Sequence, residues 1–95
     1  MSKLSLQEIE EKLKALQGWQ LDGEVISKKF TLPSFPQAMR FVNQVADLAE
    51  KADHHPDIHI DYRRVTLTLS THSEGGITQK DFLLAEEIER DCSLT

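Results

Sequence analysis

Four histidines are the residues of this 95-residue chain whose type and spacing most strongly suggest chemistry. His54, His55 and His59 fall within six residues of one another, and the fourth is His72. Imidazole both donates and accepts a proton near neutral pH, so several imidazoles around one cavity suit general acid and base catalysis. A single histidine in a loop is more often an ordinary surface residue. The cluster therefore predicts a proton-transfer site only if its members meet in space.

The elements around these histidines predict that they do meet. Residues 58–62 and 65–70 alternate apolar with polar side chains, which predicts two strands joined by a tight turn. The outer ends of an antiparallel hairpin lie side by side. His54 and His55, before the first strand, should therefore approach His72, after the second strand. The expected site lies at one end of the sheet.

A metal site is the alternative chemistry for the cluster. His55 and His59 have the i, i+4 spacing of a helical metal-binding pair, but Pro56 places them on extended chain, where they need not face one point. The chain has no Cys-x-x-Cys motif, and Cys92 is remote in sequence. We therefore expect no metal, and we expect His59 on the polar face of its strand.

Apolar spacing and capping signals predict three helices around two β-hairpins. Proline removes an amide donor and forces the preceding residue out of helical geometry, so Pro56 must end the long helix near Asp53. The predicted elements are a helix over about 5–17, a hairpin over 19–32 turning at Asp22-Gly23, a helix from Ser34 to Asp53, a hairpin over 58–70, and a helix from Thr78 to about Asp91. This order, α-β-β-α-β-β-α, predicts an α+β single domain over residues 1–95. Its four-stranded, mostly antiparallel sheet should be covered on one face by three helices.

Composition excludes several classes of protein. The chain is 39% hydrophobic and 28% charged, which is ordinary for a globular domain. No stretch approaches the roughly 18 apolar residues of a membrane span, and no apolar signal core follows Met1, so we expect a cytoplasmic protein without membrane contact. A net charge of -5 disfavours direct nucleic-acid binding. Small size, together with an edge strand after the second hairpin, predicts association between copies of the chain.

The sequence also carries a family likeness. The relevant motifs are Glu50-Lys51-Ala52-Asp53-His54-His55-Pro56, Tyr62, Leu69-Ser70-Thr71-His72, Gly76-Ile77-Thr78 and Asp81. With them, essentially the whole chain resembles the pterin-4a-carbinolamine dehydratase family. The resemblance implies a lyase that eliminates water from a 4a-hydroxytetrahydropterin and gives a quinonoid dihydropterin, as in tetrahydrobiopterin recycling. It implies no cofactor.

Residue roles follow from the same resemblance. It implies that His54 and His72 transfer protons on the two sides of the substrate ring and that His55 chiefly holds the substrate. The implied substrate-binding residues are Glu50, Asp53, Pro56, Trp19 and Asp81. Among them, Asp53 is expected to fix an imidazole tautomer, and Trp19 is either a pocket wall or, alternatively, a core residue.

The resemblance also bears on partners. Members of the family form dimers or tetramers, which implies a homodimer or a homotetramer here. Animal members also serve as dimerisation cofactors for a homeodomain transcription factor. A non-catalytic dimerisation or assembly module of the same fold is therefore the alternative function.

Overall fold

Three helices and four strands make up the part of the chain, residues 2–92, that a computed structural model describes. Residue 1 and residues 93–95 of the predicted domain lie outside the described residues. The elements are α1 (Leu6–Leu13), β1 (Gln20–Asp22), β2 (Val25–Thr31), α2 (Phe35–Ala52), β3 (Asp57–Asp61), β4 (Arg64–Leu69) and α3 (Gln79–Asp91). The predicted element order and fold class are confirmed.

The strands form one antiparallel sheet in the order β1-β2-β4-β3. Both predicted hairpins are present, and β4 pairs with β2 to join them. The predicted edge strand after the second hairpin is absent from residues 2–92; the edge on that side of the sheet is β3, the first strand of the hairpin. In the β3–β4 register, Asp57 lies opposite Thr68. This register brings the residues before β3 beside those after β4, as the site prediction requires.

The hydrophobic core lies between the sheet and the helices. Along β4, buried residues alternate with half-buried ones, and Val65, Leu67 and Leu69 are fully buried. Phe41 and Phe82 meet this face from α2 and α3 and are also fully buried. Burial of large apolar side chains is the main favourable contribution to folding, so this layer fixes how the helices sit on the sheet.

Helix α1 is shorter than predicted and ends at Leu13 instead of about residue 17. The amides of residues 14–16 bond to carbonyls three residues back, at 3.1–3.3 Å, which is a tighter turn than an α-helix. Lys28 of β2 then takes the carbonyl of Gln17 at 3.0 Å. This contact holds the residues that follow the tighter turn against β2, and helical periodicity alone does not reveal it.

The hairpin loop between β1 and β2 is also displaced by one residue. Asp22 pairs with Val25, so the loop is Gly23-Glu24 instead of the predicted Asp22-Gly23. Within this loop only Gly23 has a positive φ, at 64°. The reversal is therefore carried by the glycine, which has no Cβ to clash in that conformation.

Both ends of α2 and the start of α3 agree with prediction. Ser34 caps α2 by accepting the Gln37 amide at 3.3 Å. The helix ends at Ala52, and Asp53 adopts a left-handed conformation with φ 51°. At α3, Thr78 and Asp81 form a complete capping box. Within residues 2–92, no helix is both long enough and apolar enough to cross a membrane.

Candidate active site

An open pocket of about 260 Å³ lies where α2 ends, β4 ends and α3 begins. Its lining comes from residues 53–55 and 70–73 together with Lys80. The structure therefore brings His54, His55 and His72 to one cavity. A larger depression of about 490 Å³ lies near Lys29 and contains no histidine or carboxylate in its lining.

The exit of α2 sends two consecutive histidines into different environments. The left-handed turn at Asp53 reverses the chain, and the His54 amide returns to the Ala49 carbonyl at 3.1 Å. Aspartate is one of the few residues other than glycine that adopt this conformation readily. As a result, the His54 side chain is only 10% exposed, whereas that of His55 is 57% exposed.

His54 is held by a buried carboxylate. Its Nε2 lies 2.5 Å from Oδ1 of Asp81, whose side chain is fully buried. Oδ2 of Asp81 accepts the Thr71 hydroxyl and the Thr78 amide, each at 2.9 Å. Three donors thus converge on one carboxylate, which suits an ionised group that acts only as an acceptor. With the carboxylate ionised, Nε2 of His54 is the donor of the contact with Asp81.

This arrangement differs from the expectation for Asp53. Asp53 lines the pocket but the carboxylate on His54 is that of Asp81, which lies 27 residues further along the chain. The distance in sequence explains the difference, because the N-terminal turn of α3 delivers Asp81 to the end of α2. Asp81 is thus the hydrogen-bond partner of His54 because the tertiary structure brings the two residues together, although they are distant in sequence.

His55 makes a looser contact. Its Nε2 bonds to a carboxylate oxygen of Glu50, one turn back on α2, and the Glu50 side chain is 77% exposed. An exposed pair of this kind is screened by water and contributes little to stability. His55 also lines the pocket.

His72 opens a short 3-10 turn, His72–Glu74, which the sequence did not predict. Thr71, just before it, forms an isolated antiparallel bridge with Gly76 through hydrogen bonds of 2.8 and 3.3 Å. Gly75 closes the turn in a left-handed conformation, with φ 73°. The bridge fixes both ends of the loop, so His72 projects from a constrained turn, and its side chain is exposed at the pocket.

Four of the predicted substrate-binding residues lie away from the pocket lining, and one of them is Asp81, which is fully buried behind His54. Trp19 is 4% exposed in the core, where its ring packs edge-on against Phe30 and its Nε1 donates to Glu89 at 2.9 Å. Trp19 thus occupies a core position, the alternative interpretation, and does not line this pocket. Pro56 lies just after the pocket residues and Glu50 reaches the site only through His55.

Sequence reasoning also missed residues that line the pocket. Ser70, Ser73 and Lys80 belong to it, and the sequence analysis assigned none of them a role. Ser70 lies within the motif Leu69-Ser70-Thr71-His72, Ser73 directly follows it, and Lys80 is the second residue of α3. Only their position in the hairpin and helix end could have indicated them.

The described residues offer no obvious metal centre. Across residues 2–92, no group of three or more histidine, cysteine, aspartate or glutamate side chains is arranged to hold a metal ion. His59 is exposed on β3, away from the pocket lining. The chemistry that the pocket offers is that of three imidazoles, one of them oriented by a buried carboxylate, which suits proton transfer.

An antiparallel sheet backed by helices, with imidazoles converging at one end, defines a small α+β protein with a pocket suited to proton transfer. A profile of the family described as pterin 4 alpha carbinolamine dehydratase matches residues 2–90. A protein of Roseiflexus sp. (strain RS-1), provisionally named pterin-4-alpha-carbinolamine dehydratase, is 58% identical over 88 residues, covering 93% of this chain and 95% of its own. The chain therefore belongs to the pterin 4 alpha carbinolamine dehydratase family.

Solved structures agree with the fold. A transcriptional coactivator/pterin dehydratase from Brucella melitensis superposes with a TM-score of 0.91 at 41% identity, covering 97% of this chain and 100% of the other. A pterin dehydratase-like protein identified as a RuBisCO assembly factor in the alpha-carboxysome has a TM-score of 0.62 at 23% identity. It covers 79% of this chain and 89% of its own, and this likeness bears on the fold alone.

Proposed function

We propose that the protein dehydrates a 4a-hydroxytetrahydropterin to a quinonoid dihydropterin and water. Family membership supports the substrate class and the reaction. The convergence of His54, His55 and His72 on one pocket is the observation that carries the proposal. Elimination of water needs groups that move protons, and imidazoles move them at neutral pH.

The reaction requires two proton transfers and no net redox change. One proton reaches the hydroxyl oxygen on carbon 4a, and the carbon–oxygen bond breaks as water leaves. One proton leaves a ring nitrogen of the pterin, and the electron pair of that N–H bond compensates for the pair lost with oxygen. The enzyme returns to its starting protonation state once its two groups have exchanged their protons.

In this proposal, His54 and His72 are the two proton-transfer groups. His54 is restrained by Asp81, so its Nδ1 has a fixed role toward the substrate. His72 lines the same cavity from the other chain segment, residues 70–73, on the constrained turn after β4. His55, which is exposed and paired only with exposed Glu50, holds the substrate.

Alanine substitution of the two histidines tests the proposal. His54→Ala and His72→Ala should each lower the dehydration rate by about 10² to 10⁴, the usual contribution of a general acid or base. His59→Ala is the matched control, because His59 is exposed on β3 outside the pocket lining. Wild-type turnover in both pocket variants would remove the assignment.

We also propose that the chain associates into a homodimer or homotetramer through the edge strand β3. Every residue of β3 is exposed, and its apolar Ile58 and Ile60 are 37% and 38% exposed. An edge strand with unpaired backbone groups and apolar side chains is a template for pairing with another chain. A light-scattering mass of a single chain at micromolar concentration would contradict this.

The same edge favours the second candidate function, a non-catalytic assembly module. The test is direct: folded protein that fails to accelerate quinonoid dihydropterin formation above the spontaneous rate, while still forming oligomers, would favour assembly over catalysis.

A further inference from the structure

The carboxylate of Asp81 depends on two threonines to which neither the family resemblance nor the proposed mechanism assigns a role. Thr71 follows β4, and Thr78 is the N-cap of α3. Their hydroxyl oxygens lie 2.7 Å apart, and both residues are buried. Two separate elements therefore meet at this hydroxyl pair, directly behind the carboxylate that holds His54.

The donor and the acceptor of each hydrogen bond among Thr78, Thr71 and Asp81 can be assigned. A hydroxyl has a single proton to donate. Thr71 donates its proton to Oδ2 of Asp81 at 2.9 Å. The contact between the two hydroxyls must then be donated by Thr78, whose oxygen in turn accepts the Lys80 amide at 3.2 Å. Thr78 therefore donates to Thr71, and Thr71 donates to Asp81; we call this chain of two hydrogen bonds the hydroxyl relay.

The relay leaves no polar atom of the group without a partner. Among the described residues, no buried side-chain nitrogen or oxygen lacks a hydrogen bond. Removal of one hydroxyl would leave both the Asp81 oxygen and the Thr78 hydroxyl short of a partner in a buried site, where an unmade hydrogen bond is costly. Thr71 therefore supplies one of the three contacts that orient Asp81, beside the Thr78 amide and His54.

Thr71 also fixes the neighbouring histidine through its backbone. Its amide and carbonyl form the bridge to Gly76, and its carbonyl also accepts the Glu74 amide at 3.0 Å. These bonds close the turn on which His72 begins. Thr71 thus contacts, through its side chain, the carboxylate that holds His54, and its backbone closes the turn that carries His72.

We propose that Thr71 is a positioning residue that, through a hydroxyl relay from Thr78, keeps Asp81 oriented so that His54 carries its proton on Nε2 and presents Nδ1 to the pocket. The effect on turnover rests on the proposed dehydratase function. The effect on the His54 tautomer does not, because it depends only on the hydrogen bonds among these side chains.

The test compares Thr71→Val, which keeps the shape but removes the hydroxyl, with Thr71→Ser, which keeps the hydroxyl. Long-range ¹H–¹⁵N correlation spectra of the imidazole rings report the tautomer of His54. We expect wild type and Thr71→Ser to show the Nε2-protonated form. Thr71→Val should show a mixture of tautomers.

The kinetic arm uses the same variants in the dehydration assay. Thr71→Val should lower kcat about tenfold, the effect of one hydrogen bond to a charged group, with little change in KM. Thr71→Ser should stay within about twofold of wild type. Thr68→Val is the control, since Thr68 lies on β4 outside the pocket lining and should leave both readouts unchanged.

The outcomes separate this inference from the proposed function. An unchanged His54 tautomer in folded Thr71→Val overturns the positioning role. A shifted tautomer in a protein whose wild type shows no dehydratase activity supports the positioning role and removes the function. If the valine variant does not fold, Thr71→Ala is compared with Thr71→Ser by the same spectra.

Discussion

Helix α3 carries two carboxylates, one near each end, that bond to side chains of other elements, and their partners differ in kind. Asp81, in the first turn, is fully buried and holds the imidazole of His54 at the pocket. Glu89, eight residues later, is 31% exposed, and its Oε2 accepts both the Trp19 indole at 2.9 Å and the Lys28 ammonium at 2.7 Å. Eight residues correspond to about 12 Å of helix rise, so the two groups are well separated.

The partners of the two carboxylates account for the difference. Indole and lysine keep their protons at neutral pH, so Glu89 can only hold the sheet, α3 and the core together. Imidazole exchanges its proton at neutral pH, so Asp81 also determines which ring nitrogen is available. One end of the helix supports the fold, and the other end prepares a site for chemistry.

Among substitutions on α3, Asp81→Asn should give the largest effect on activity. Asparagine keeps the shape but presents an amide that can donate to His54, so the imidazole loses its fixed tautomer, and we expect turnover to fall about 100-fold. Loss of hydrogen bonds to a buried charge should also lower the free energy of unfolding by about 1.5–3 kcal/mol. Steady-state kinetics and urea denaturation check both effects. Turnover close to wild type would contradict the role of Asp81.

Glu89→Gln is the matched change at the other end of α3. We expect turnover within about twofold of wild type and a loss of about 1 kcal/mol in stability, because the amide still accepts one hydrogen bond but no longer pairs with the charge of Lys28. For a domain of this size, the midpoint of thermal unfolding should fall by about 4–8 °C. A tenfold loss of turnover with unchanged stability would reverse the comparison.

The smallest expected effect concerns the reactivity of the Cys92 thiol, which lies at the same end of α3 as Glu89. Burial, with the carboxylates of Asp91 and Glu89, raises the pKa of the Cys92 thiol from 9.0 to about 11. At pH 8 only about one thiol in a thousand is then ionised, so alkylation by iodoacetamide should be slow and should speed up about tenfold per pH unit. Labelling at the rate of a free thiol at pH 8 would contradict this.

The same shift sets the direction of a stability change at high pH. The folded-state pKa lies above the unfolded value, so the protonated thiol favours the folded state. The contribution of Cys92 is complete below pH 9 and should be lost progressively as pH rises from 9 to about 11. Comparing Cys92→Ala with wild type by denaturation at several pH values isolates this contribution.

Much of the fold was predictable because local signals agree with the tertiary structure. Pro56 predicted the end of α2 correctly, and the alternation on both sides of Tyr62 predicted the second hairpin. The end of α1 was predicted too late, because residues 14–16 continue the apolar spacing of the helix but bond to carbonyls three residues back. Strand order was not predictable, because the hairpins alone do not say which of their strands pair with each other.

The site was predictable as a cluster but not as a network. Hairpin geometry alone brought His72 to His54 and His55, and the structure agrees. The spacing indicated Asp81 as a capping residue of α3, and the family resemblance implied a substrate-binding role; the structure shows the cap and a contact with His54 that neither indicated. Thr71 gave no separate signal, because its role exists only after β4 and α3 have met.

The dehydration rate of freshly prepared 4a-hydroxytetrahydropterin, with and without the wild-type protein, tests the central claim most directly. We expect the protein to accelerate formation of the quinonoid dihydropterin well above the spontaneous rate, and His54→Ala to abolish most of the acceleration. A rate with folded wild-type protein equal to the spontaneous rate would contradict it.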